Sequence, residues 1–163
     1  VCLAFDVTPA RDGAAIAVAD AHGYLAVIEQ RPGVEWLEAR LRELQHTHGA
    51  PIACDRYGAA GPTVDALDRA GAQLLVMGTG DVANAAAGFI DAVHHHALAV
   101  VPSAALSDAV EGAAQRPIGD TGGFAWSRKG SAAPVVALVA ASAALWGARH
   151  APDPGPIPAA YAM

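Results

Sequence analysis

Two short apolar runs in this chain end in an aspartate: Leu3-Ala4-Phe5-Asp6 and Ile52-Ala53-Cys54-Asp55. Each reads as a buried strand. A carboxylate at the end of such a strand is costly unless it meets an opposite charge or hydrogen bonds. Whatever fold the chain takes must supply that compensation twice.

The segments around these runs set the topology. Thr8 to Gly13 (TPARDG) reads as a turn, with Pro9 fixing φ and Asp12-Gly13 reversing the chain. Ala14–Ala21 is a second strand, Ala21-His22-Gly23 turns again, and Tyr24–Gln30 is a third. Strands joined so tightly form an antiparallel meander. Val34, Leu37, Leu41 and Leu44 then recur at helical spacing, and Gly49 ends that helix. After the strand that closes on Asp55, Pro62 opens a helix to about Ala70. Gln73–Met77 is a fifth strand, and Asp81 is placed to cap a helix running through Phe89 to the histidines. Ala104–Ala114 is expected to be helical, Gly119–Gly123 a loop and Phe124–Trp126 a short strand. A final helix is expected over Val135–Ala148, behind Pro134.

This order predicts an α/β fold: a five-stranded mixed sheet, three antiparallel then two parallel strands, with helices on both faces. That is the ribonuclease H-like architecture. One domain is expected over 1–150, and a mobile proline-rich tail over 151–163. Hydrophobic residues at 53% against 16% charged exclude disorder. The alanine bias reads as coding drift. A net charge of −6 argues against binding nucleic acid by bulk electrostatics, but leaves room for an enzyme that concentrates carboxylates at one site. The chain opens without methionine or a basic leader, so it is expected to be excised from something longer, with no secretory signal. Its longest uncharged run, Gly130–Ala148, is interrupted by Pro134 and short for a bilayer, so no membrane span is expected. Cys2 and Cys54 read as reduced core residues of a cytoplasmic protein.

In the expected sheet the strands ending in Asp6 and Asp55 are parallel neighbours, so both carboxylates come within reach of a common cation. Oxygen-only ligands select Mg²⁺ or Mn²⁺. Two such ions, roughly 4 Å apart, clamp the attacking and leaving oxygens of a phosphodiester. The plainer alternative is that Asp55 caps the following turn and Asp6 begins one with Thr8. The third ligand stays open between Asp120, Asp12 and Asp81, each of which also has a turn or cap reading. His94-His95-His96 point about 100° apart on a helix and cannot converge on one ion, so they read as a solvated helix end. Trp126–Ser131 carries the densest positive charge. Arg128 and Lys129 there are expected to contact a phosphate backbone, with a solvated loop the alternative. No P-loop, zinc-ligand spacing or nucleophile elbow is present.

From Phe5 to about Ala148 the chain resembles the nuclease domain of the large terminase subunit of tailed bacteriophages. The resembling segments are FDVTPARDGAAIAVA, IACDRYG and RPIGDTGGFAWSRKGSAAPVVALVAASAALWG. The last is similar to actinobacterial phage and prophage versions. The resemblance implies a metal-dependent endonuclease that cuts concatemeric double-stranded viral DNA in the host cytoplasm. It also implies an upstream ATPase motor domain, a small terminase subunit and a portal as partners. Asp6 and Asp55 match the family's first and second acidic motifs. Relatives often carry an aspartate just before the proline of the final helix; here Ser131-Ala132-Ala133 precede Pro134, with Ser131 the counterpart. Either Asp120 or another acid substitutes as the third catalytic and metal-binding residue, or metal affinity is reduced, a decayed prophage copy with little activity being a further alternative. The alternatives are another ribonuclease H-like nuclease, such as a resolvase or transposase-like strand transferase, and a non-enzymatic docking module. The isolated domain is expected to be a monomer that binds DNA weakly.

Overall fold

The computed structural model describes residues 1–152, so the tail expected over 151–163 lies, from residue 153 on, outside the described residues. Three strands form the meander: β1 (Cys2–Val7), β2 (Gly13–Ala19) and β3 (Tyr24–Pro32). Then come α1 (Leu37–His48), β4 (Ile52–Asp55), α2 (Gly61–Arg69), β5 (Leu74–Met77) and α3 (Thr79–His94). A two-residue strand β6 (Ala99–Val100) and α4 (Ala104–Gly112) follow. A hairpin of β7 (Gln115–Ile118) and β8 (Gly123–Trp126) leads to the last helix, α5 (Val136–His150).

The main sheet has the order β5-β4-β1-β2-β3-β6. β1 pairs antiparallel with β2 and parallel with β4, and β4 pairs parallel with β5. The three-then-two mixed sheet expected from the sequence is therefore present. It is extended to six strands by β6, which pairs parallel with β3 through Tyr24↔Ala99 and Leu25↔Val100. β6 escapes a reading of sequence pattern because two exposed residues ahead of Pro102 show no alternation. The second addition is β7, which pairs antiparallel with β8 in a separate two-stranded sheet. Its Pro117 argues against a strand, yet one edge of an isolated hairpin tolerates proline.

Alternation along the strands divides the core in two. Leu3, Phe5, Val7, Ile16, Ile52 and Cys54 face α1 and α2, against Leu37, Leu41, Val64 and Leu67. Cys2, Ala4, Ala15, Ala17 and Ala53 face the other way, against α3 and α5. Both cysteines are buried free thiols. Burial pushes Cys2 up to about 11 and Cys54 to about 12, so neither is a nucleophile at neutral pH. Gly49, in the left-handed conformation (φ 64°), ends α1 as expected.

The α5 face differs from its opposite in the size of its residues. Ala137, Ala140, Ala141 and Ala144 meet the sheet alanines directly. Close approach is tightest at Gly147, where a Cβ would lie 2.4 Å from Cys2 Sγ and 2.9 Å from Ala53 Cβ. The alanine content, expected to be mere drift, thus has a structural use: it brings the last helix down onto the sheet. Trp36, off the apolar stripe of α1, donates its indole N–H to Gly33 O and lies under Arg31 at 4.9 Å. No helix among the described residues is long and apolar enough to cross a membrane.

Gly147→Val should force α5 away from β1 and β4. The expected loss is about 1–3 kcal/mol of stability. It should appear in urea denaturation as a lower midpoint at unchanged m-value.

Candidate functional site

The register of β1 and β4 fixes the first two residues of the site. Leu3 is level with Ile52 and Ala4 with Ala53. Carried to the strand ends, the same register sets Asp6 level with Asp55. Neighbouring strands lie about 4.8 Å apart, and residues at one level share a face. Asp6 follows Ala4, and Asp55 follows Ala53, onto the face covered by α3 and α5. Both aspartates line one narrow, partly enclosed cavity there, with Met77, Trp126, Arg128 and Ser142 among its walls.

Their surroundings differ. Asp55 is partly exposed, and its Oδ1 accepts the backbone N–H of Tyr57 at 2.9 Å. Asp6 is only 2% exposed. Its compensation is Arg128: Nη2 donates to Oδ1 at 2.6 Å, and Nε donates to Oδ2 at 3.3 Å. Burial pushes the Asp6 carboxyl above its ordinary range, while the Arg128 charge and hydrogen bonds pull it back. Burial also works against the Arg128 charge, but Asp6 in contact and Asp55 beyond it more than offset that and hold the guanidinium protonated.

The path of the chain after β8 delivers Arg128 to this position. Trp126 donates its indole N–H to Ser142 Oγ on α5 at 3.0 Å, and its ring meets Phe89 and Phe124 edge-on. Ser127 N–H then donates to Ala114 O at 2.7 Å, and Gly130 N–H to Ser127 Oγ at 2.9 Å. Ser131 completes the turn: its hydroxyl donates to Ser127 O at 2.5 Å and accepts from Ala114 N–H at 2.9 Å. Ser131, three residues ahead of Pro134, therefore holds this turn together.

The remaining candidates lie elsewhere. Asp120 is exposed at the tip of the β7–β8 hairpin, the end opposite Trp126, and lines neither cavity that Asp6 lines. The strand β8 alone puts about 10 Å between that tip and Trp126. Asp12 is exposed and accepts the Thr8 hydroxyl at 2.6 Å within the first turn. Asp81 sits in the first turn of α3 and accepts Gly78 N–H at 2.9 Å, so Gly78 and not Asp81 is the N-cap. His94, His95 and His96 are exposed at the end of α3. Among the described residues, no three His, Cys, Asp or Glu side chains gather as a metal cluster.

Beside the acids, outside the narrow cavity, runs an open groove of about 530 Å³. Asp6, Tyr57, Arg116, Ser127, Arg128 and Lys129 are among its walls. Lys129 is exposed there. Two contributors were not legible in the sequence. Tyr57 is 73% exposed, and Arg116 is carried to the groove by β7, level with Ala125 of β8.

No family model and no curated protein sequence matches this chain. Solved structures do. The large terminase nuclease of thermophilic phage G20c with bound magnesium is 15% identical, with a TM-score of 0.68 over 88% of this chain and 79% of that one. The large terminase nuclease domain of Thermus phage P74-26 is 16% identical, with a TM-score of 0.64 over 93% and 80%. The fold is that of the large terminase nucleases. The G20c nuclease has also been solved with cobalt and with zinc.

The hydrogen bond from Trp126 to Ser142 ties the terminase-fold hairpin to α5. Ser142→Ala should leave a buried indole N–H without its acceptor and cost about 1–3 kcal/mol of stability. Chemical denaturation of the variant beside the parent checks it.

Proposed function

We propose that this chain is the nuclease domain of a phage terminase, a divalent-metal-dependent endonuclease acting on double-stranded DNA. The observation that carries the reading is the level placement of Asp6 and Asp55 on neighbouring parallel strands, at the rim where such sheets bind ligands. The fold likeness to nucleases solved with magnesium and cobalt supports it.

The donor set suits one hard ion. Mg²⁺ is commonly held by one or two carboxylates and completes its shell with water and substrate phosphate. Asp6 and Asp55 would hold it, and when bound it would supply the positive charge that activates water and eases departure of the leaving oxygen. The expected second ion has no donors of its own here, since Asp120 is at the hairpin tip and Ser131 is engaged in its turn. Arg116 and Lys129 would hold the DNA backbone in the groove, setting the scissile phosphate beside Asp6. Tyr57 offers an exposed aromatic face to the same groove. We further propose, on the resemblance, that the chain works in a packaging motor, downstream of an ATPase domain and with a small subunit and a portal, in the host cytoplasm. On its own, the domain is proposed to be a monomer with weak affinity for DNA.

A second reading, a catalytically decayed docking module, is favoured by one observation. Arg128 already donates to both oxygens of Asp6.

Nicking of supercoiled plasmid in Mn²⁺ distinguishes the two. Asp6→Asn and Asp55→Asn should each lower the rate by about 100-fold or more if they hold the ion. Asp120→Ala should keep the parent rate. A parent protein that does not nick plasmid, or an Asp55→Asn protein that nicks as fast as the parent, sinks the nuclease reading.

A further inference from the structure

Apart from Asp6 itself, Arg128 alone lines both the narrow cavity beside the carboxylates and the open basic groove. It is a partition between the two. Its guanidinium covers both oxygens of Asp6, while the side chain keeps 27% of its surface exposed.

A cation seated in this way has two consequences. It neutralises a buried carboxylate that would otherwise be stranded. It also takes one lone-pair direction on each oxygen of Asp6, and two cations on one carboxylate repel. Space points the same way. The narrow cavity measures about 30 Å³, room for one or two waters. Mg²⁺ gives up its octahedral water shell reluctantly and keeps several waters when bound. The ion and the seated guanidinium therefore compete.

The groove supplies an alternative seat. Arg116 and Lys129 line it, and neither has an ion-pair partner among the described residues. A phosphodiester drawn there would offer Arg128 a bidentate acceptor equivalent to the carboxylate it leaves. Building on the nuclease reading, we propose that Arg128 couples phosphate binding to metal binding. Seated on Asp6 it keeps the divalent ion out; a phosphodiester in the groove draws it off and admits the ion. Such coupling is reciprocal, so metal also tightens the hold on the phosphodiester.

The test is equilibrium Mn²⁺ binding to the whole chain, followed by the electron paramagnetic resonance of free Mn²⁺. It is run with and without a short phosphorothioate DNA duplex, against a protein-free duplex control. In the parent, duplex should tighten Mn²⁺ binding by about 5- to 150-fold, the usual range of such coupling. Arg128→Gln should bind Mn²⁺ about tenfold more tightly without duplex and gain little when duplex is added. Arg128→Lys, with a point charge in place of the fork, should fall between the two. An Arg128→Gln protein that binds Mn²⁺ no more tightly than the parent, or keeps the full response to duplex, overturns the coupling while leaving the nuclease reading intact. If Arg128→Gln does not fold, Arg128→Lys decides: tighter Mn²⁺ binding than the parent supports the coupling, and equal binding overturns it. Parent and variants that take up no Mn²⁺, with duplex or without, overturn both.

Discussion

A carboxylate with almost no exposure, at the end of a central strand, is the constraint on which this structure turns. Asp6 cannot sit beneath α5 as a bare anion, and water does not reach it well enough to solvate it. It needs a cation delivered from elsewhere in the chain. The delivery occupies much of the C-terminal third: β8 pinned to α3 and α5 through Trp126, and a serine-rich turn that fixes the backbone on either side of Arg128. Hydrogen bonds that look like ordinary loop chemistry therefore serve a charge more than 100 residues away in sequence.

The packing of α5 sets how confined that charge is. Large side chains on this face would have lifted the helix and opened the rim to solvent. Alanines on both partners, and Gly147 over Cys2, bring the helix in close. Val139, Ser142 and Ala143 then wall the cavity that holds the carboxylates. Tight helix packing and a poorly solvated acid are two consequences of the same small residues. On the opposite face, leucines fill the space below α1 and α2 as core, while Phe5 packs with them and also lines the carboxylate cavity.

Much of this was legible in the sequence because it rests on local pattern. Tight turns declared the meander, and helical periodicity between Asp55 and its neighbours declared parallel strands. Parallel strands that begin alike bring their ends level, which is why Asp6 and Asp55 could be paired without coordinates. The remainder depends on contacts that leave no local trace. β6 is two residues long, and β7 contains a proline, so the strand that carries Arg116 into the groove could not be read. Without β7, Gly119–Gly123 looks like a loop free to bring Asp120 inward; the pairing of Ile118 with Gly123 instead holds Asp120 exposed at a hairpin tip. Charge alone marks Arg128 as a phosphate ligand. Only the burial of Asp6 shows that the guanidinium already has an anion.

On the proposed nuclease reading, charge balance limits the number of cations this site would hold. Two carboxylates and one guanidinium leave a single net negative charge. A divalent ion added with the guanidinium in place reverses that sign in a poorly solvated pocket. With the guanidinium withdrawn to a phosphate, the same ion is neutralised in full. A second divalent ion would leave two positive charges over two carboxylates, too many for one phosphodiester to balance. With Ser131 committed to the turn, the proposed site would balance one ion at a time, with Arg128 neutralising Asp6 in its place.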